Sequence, residues 1–178
     1  EVDKGTEVIG NTTESFTNYS GGWSGNSYNI YQQFKRKPGL TLNYIGPVKP
    51  PVSRFAKINS KLIRLAGLKS KLYYFSDKRL GETRKQIENL TQSLAVDYTF
   101  FMGSTHWVGF NPPGPYGAFL DASYRTYFEN NIKTSEFSSK DINRIELLEK
   151  QWLENATHLF WASEWAKNEA IRQYNLSS

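Results

Sequence analysis

The side chains that could carry chemistry are few. Two histidines and no cysteine occur in 178 residues, which excludes disulfides and cysteine-based zinc sites and fits a reducing compartment. His106 and His158 are not in H-E-x-x-H spacing, so neither a metal nor a cofactor is expected. His158 lies inside an apolar run and reads as structural, whereas His106 sits in the loop Gly103-Ser104-Thr105-His106-Trp107, where an imidazole could bind a hydroxyl. Flanked by Trp107, it could equally be a packing residue. Asp121 ends the apolar stretch 116–120, a poor place for a carboxylate unless it faces a polar cleft or caps the next segment. Gly21-Gly22-Trp23-Ser24-Gly25 could let the backbone approach a ligand closely, with the N–H groups of a following helix attracting an anion. It is not G-x-G-x-x-G, so a dinucleotide is poorly supported, and a plain flexible turn is the competing reading. Trp23, Trp107, Tyr116 and Tyr124 fall in or beside these loops and could stack on sugar rings.

The elements that must position these residues alternate. Strands are expected over residues 6–12, 41–45, 72–75, 97–102, 116–120 and 158–162, from short apolar or alternating runs bounded by Gly, Pro and Asn. Helices are expected over 27–37, 54–68, 79–94, a long stretch from Ser138, and 164–174. The last strand, His158-Leu159-Phe160-Trp161-Ala162, is apolar enough to be covered on both faces, and it stops at Ser163, a helix cap. Trp165, Ala166, Ala170, Ile171 and Tyr174 then share a helical face, and Trp152, Trp161 and Trp165 are expected in the core. Strands separated by helices predict an α/β fold, with a Rossmann-like, doubly wound and mainly parallel sheet in one domain spanning residues 1–178.

Charge is uneven. Residues 33–85 hold fourteen Lys and Arg against Asp77 and Glu82, while the whole chain is only +5. Within that block Phe55, Ile58, Leu62 and Leu65 share a helical face, with Lys57, Lys61 and Arg64 on the other. The favoured reading is a surface helix whose apolar stripe faces the sheet. The alternative is a helix on an anionic membrane surface. Nucleic acid is disfavoured as a partner because no binding motif accompanies the charge. No stretch reaches the ~18 apolar residues of a membrane span, and no signal peptide is visible, so a cytoplasmic protein, at most peripheral to a membrane, is expected. Five Asn-x-Ser/Thr sequons occur, which chance explains in a chain this rich in Asn, Ser and Thr. The chain begins at Glu1 rather than Met, so loss of an N-terminal piece is an open expectation.

Three motifs in order carry a family resemblance. Trp23-Ser24-Gly25-Asn26-Ser27-Tyr28, with Tyr44-Ile45-Gly46-Pro47, resembles the W-S-G-T-P-Y loop and Y-I-G-P strand end of retaining group 1 glycosyltransferases of the GT-B kind. Leu120-Asp121-Ala122-Ser123-Tyr124 is similar to their D-A-T-F segment, where the wider superfamily often holds a cleft histidine. Ser163-Glu164-Trp165-Ala166, followed by Ala170-Ile171 and Tyr174, resembles the end of their N-terminal domain. The resemblance spans about residues 7–176.

It implies the N-terminal, acceptor-side half of a GT-B fold, transferring a sugar from a nucleotide-sugar donor to an acceptor. The donor-binding C-terminal domain would lie beyond this chain, so the fragment alone is expected to be inactive. Asp121 would be the catalytic candidate, with Gly22, Trp23, Ser24, Gly25, His106, Trp107 and Tyr124 binding substrate. The reading from another class is a stand-alone carbohydrate- or anion-binding module without catalysis.

Overall fold

The computed structural model describes residues 5–9, 25–45, 48, 53–94 and 96–176, with the backbone alone for the first of these segments. Gly22, Trp23, Ser24, Gly46 and Pro47, on which the motif readings partly rest, lie outside the described residues. Among the described residues, strands β1 (Gly5–Ile9), β2 (Leu42–Tyr44), β3 (Val96–Met102), β4 (Tyr116–Leu120) and β5 (His158–Trp161) form one sheet in the order β2-β1-β3-β4-β5. Every pairing is parallel. The helices are α1 (Asn26–Arg36), α2 (Arg54–Leu65), α3 (Asp77–Thr91), α4 (Tyr124–Asn131), α5 (Ser139–Asn155) and α6 (Glu164–Tyr174). Parallel strands need such crossovers, and chain direction across the sheet reverses at β1 and β3.

Alternation along β3 divides the apolar residues between two faces. Phe100 and Met102 pack against Ile30, Tyr31 and Phe34 of α1, with Phe34 edge-on to Phe100 at 5.0 Å. Phe101 faces the opposite layer, with its ring 5.3 Å from Trp152 and 5.6 Å from Tyr116. That larger core holds Ile87 of α3, Ile145, Trp152 and Leu153 of α5, Phe128 of α4, and Ala118 and Leu120 of β4. Two of its aromatic polar groups are paired within the layer: Trp152 donates from Nε1 to the Phe110 carbonyl at 3.0 Å, and Tyr116 donates to the Trp152 carbonyl at 2.6 Å. Asp141, in the first turn of α5, accepts from Leu72 N at 2.8 Å and pairs with Arg144 at 2.9 Å. Arg144 in turn donates to the Phe75 carbonyl at 2.6 Å, fastening α5 to the segment before α3.

Four expectations are corrected. Residues 73–75 form a 3₁₀ turn rather than a strand, and the neighbouring ladder is reduced to one bridge between Ser70 and Phe137. β5 is the edge of the sheet and only half covered, with His158 and Phe160 exposed on the face that carries Phe100. Apolar content marked it as a strand, but a run of four says nothing of how many layers cover it. Trp165 is 59% exposed, because Ala166, Ala170 and Tyr174 are the residues α6 buries. The apolar stripe of α2 faces outward, with Phe55 at 86% and Leu65 at 73% exposure, because the helix packs through Ser60 instead. Helix α4 was not foreseen; its eight residues hide between a cap and a loop. No helix among the described residues is long and apolar enough to cross a membrane.

Candidate functional site

In a parallel sheet all carboxyl ends lie along one edge, and ligands bind there beside the loops that enter helices. β1, β3 and β4 are adjacent, so the segments leaving them, which include Gly25, His106 and Asp121, issue from one edge. Gly25 is buried at the start of α1 with φ 85°, a left-handed conformation that a Cβ would strain. No side chain caps α1 there, which leaves its first-turn N–H groups without the usual side-chain acceptor among the described residues. Asp121, the first residue past β4, is exposed.

The β3 exit is built to turn sharply. Gly103, at φ 75°, donates its N–H to the Phe119 carbonyl at 2.8 Å, and Trp107 returns its Nε1 to the Met102 carbonyl at 3.0 Å. His106 is held half-buried between these anchors, its ring 6.1 Å from that of Trp107. Burial, and secondarily the positive charge of Arg79, lower its pKa to about 4, so the imidazole is neutral at physiological pH. A neutral ring can both accept and donate, which suits a hydroxyl better than an imidazolium would.

Two site expectations are corrected at this edge. Trp107, at 1% exposure, is enclosed beside Phe101 at 5.6 Å, and no face of its indole remains for a sugar. Tyr124, at 4% exposure, packs against Phe75 at 4.8 Å and belongs to the same core. Both are buried because the loop that bears Trp107 folds back onto the sheet and Tyr124 opens α4 on its buried side. Tyr116 is likewise a core residue.

The residue that unites the edge was missed. Glu149 of α5 is fully buried beneath the exits of β3 and β4. It accepts from Ser104 Oγ at 2.7 Å, from Tyr124 N at 2.6 Å and from the Tyr174 hydroxyl at 2.7 Å. Burial pushes its pKa up to about 7 against the pull of those donors. Ser104 follows β3, Tyr124 follows β4 and Tyr174 ends α6, so one carboxylate ties three elements to the helix beneath them. A signal was available: Glu149 lies four residues after Ile145 and three before Trp152, on the apolar face of the helix.

Among the described residues no group of three or more acidic or histidine side chains could hold a metal ion. A groove of about 460 Å³ runs along β5 between the ends of α5 and α6, but none of Gly25, His106 and Asp121 lines it. The carboxyl edge is the more informative, because the segments leaving three adjacent strands there carry a neutral imidazole, an exposed aspartate and a helix start with no side-chain cap among the described residues. Comparison with protein-family models, with curated proteins and with solved structures gives no match for this chain.

Proposed function

We propose that this chain is the acceptor-side, doubly wound Rossmann-like half of a retaining GT-B glycosyltransferase. The observation that carries the reading is the arrival of Gly25, His106 and Asp121 in segments leaving the carboxyl ends of three adjacent parallel strands, two of them within the motifs that carry the resemblance. In this reading the start of α1 faces the anionic end of a nucleotide-sugar across an interdomain cleft. Asp121 orients an acceptor hydroxyl or takes its proton, and neutral His106 hydrogen-bonds the acceptor. The donor is held mainly by a second domain encoded after Ser178, which the reading requires.

Titration of the 178-residue chain with uridine or guanosine diphosphate sugars tests the division of labour. Binding is expected only in the millimolar range, about −4 kcal/mol. Micromolar affinity would overturn it in favour of a binding module complete in itself. In an enzyme carrying both domains, Asp121→Asn should lower turnover roughly 10²- to 10⁴-fold, the range of a lost general base, with an unchanged melting temperature. A variant of full rate removes Asp121 from the chemistry.

A further inference from the structure

Helix α2 is attached to the protein by its polar face. Ser60, 6% exposed, donates to Ser70 Oγ at 3.0 Å, and Arg64 donates to Ser60 Oγ at 2.7 Å while pairing with Glu136 at 3.3 Å. The guanidinium of Arg64 also lies 5.2 Å over the Phe137 ring. What this leaves outward is the apolar stripe: Phe55 at 86%, Ile58 at 57%, Leu62 at 58% and Leu65 at 73% exposure, continued by Leu68 at 64%. At 3.6 residues per turn the four helical positions fall within about 80° of arc, so they form one strip along a helix about 18 Å long.

The strip is bordered by cations. Arg54, Lys57 and Lys61 are exposed along one side of it, and Lys69 and Lys71 stand exposed just past its end. No acidic residue occurs anywhere between Ser53 and Ser76. We propose that α2 is a docking strip for an anionic lipid surface, lying in the headgroup plane with Phe55, Ile58, Leu62 and Leu65 toward the acyl chains. A soluble domain seldom leaves a contiguous strip of large apolar side chains to water. The uncompensated positive border selects the occupant: a second copy would bring the same five cations against these, whereas anionic headgroups neutralise them while the acyl region takes the apolar strip. The inference stands independently of glycosyl transfer.

Flotation of the 178-residue chain with vesicles tests it. Binding is expected to phosphatidylcholine mixed with phosphatidylglycerol, not to phosphatidylcholine alone, and should fade as salt is raised. Replacing Lys57 and Lys61 by Gln should weaken partitioning about 30-fold, taking ~1 kcal/mol for each cation near the surface. Leu62→Ser with Leu65→Ser should weaken it at least tenfold. Because the chain has no cysteine, Leu62→Cys accepts a single environment-sensitive fluorophore. Its emission should shift to the blue with the anionic vesicles, while the same label on exposed Asn168→Cys stays unchanged; this readout holds even if a double variant folds poorly. Equal binding to neutral vesicles, no binding to either, or self-association abolished by the Leu62 and Leu65 changes without lipid would each overturn the proposal.

Discussion

Glu149 and His106 sit at the same edge and pull stability in opposite directions with pH. Glu149 has its carboxyl raised from an ordinary value near 4.5 to about 7, so its contribution is fully present below 4.5 and is lost as pH rises through 7. A displacement of that size in a fully buried group corresponds to about 3 kcal/mol. His106 is lowered from 6.5 to about 4, so its contribution is present above 6.5 and is lost as pH falls through 4. Between those limits the two trends offset each other, and the parent chain should change little on their account. Glu149→Gln keeps a carbonyl for Tyr124 N and the Tyr174 hydroxyl, and an amide that can face Ser104. Its melting temperature relative to the parent should therefore climb from pH 4.5 to above 7. His106→Asn should gain on the parent in the other direction, from 6.5 down to 4. A gap that stays constant with pH in either variant would show that the group does not titrate between those limits.

At the scale of elements, serine caps set where helices begin, and they are not equivalent. Ser163 Oγ accepts from Ala166 N at 3.2 Å at the exposed start of α6. Ser123 Oγ accepts from Thr126 N at 3.1 Å but is 1% exposed and also donates to Gln173 Oε1 at 2.6 Å, linking α4 to α6. Ser163→Ala should cost about 1 kcal/mol, the usual value for a lost cap, and Ser123→Ala about 2 kcal/mol, since the part-buried hydrogen bond to Gln173 is lost along with the cap. Urea denaturation of the two variants ranks them; equal losses would mean that the Gln173 contact adds nothing. The Ser163 cap was legible in the sequence because a polar cap follows an apolar run, and the parallel α/β order was legible because strand-like and helix-like runs alternate. Residues 116–120 form the strand their composition predicts. What was not legible is which side of a helix or strand meets the protein. Periodicity gave α2 an apolar face correctly but could not reveal that Ser60 and Arg64 would find partners in Ser70 and Glu136. The chain order places Trp107 and Tyr124 beside strand exits, but their burial depends on where the loop of Trp107 returns and on which side of α4 Tyr124 falls, which spacing does not encode. Gly25, His106 and Asp121 could be proposed because exits from strands are visible in the chain order, whereas Glu149 needed the helix face to be read for charge as well as for apolar residues.

For the molecule as a whole, attachment is uneven across the sheet, and the consequence is a gradient of local stability. β3 is central, flanked by β1 and β4 and covered on both faces by Phe34 of α1 and by Trp152 of α5. Among the described residues β5 has one neighbour; it exposes His158 and Phe160 and is braced on that face by Tyr98, whose hydroxyl lies 3.0 Å from His158 Nδ1. That reach crosses β4 at Gly117, where an added Cβ would collide with the Tyr98 hydroxyl, so only glycine leaves the brace its path. α2 is held mainly by serine and arginine contacts and buries almost none of its apolar side chains. Opening free energy scales with the apolar surface that must be exposed and with the hydrogen bonds that must be broken. Amides of Phe100, Phe101 and Met102 should therefore exchange with solvent deuterium only through global unfolding, those of β5 through a smaller opening, and those of α2 first of all. Adding anionic vesicles should raise protection in α2 while leaving the slowest amides of β3 unchanged, because lipid would bind the strip without touching the sheet. Exchange of α2 as slow as that of β3 in the absence of lipid would show that the helix is held by more than its polar face, and the graded order of stability would then fail.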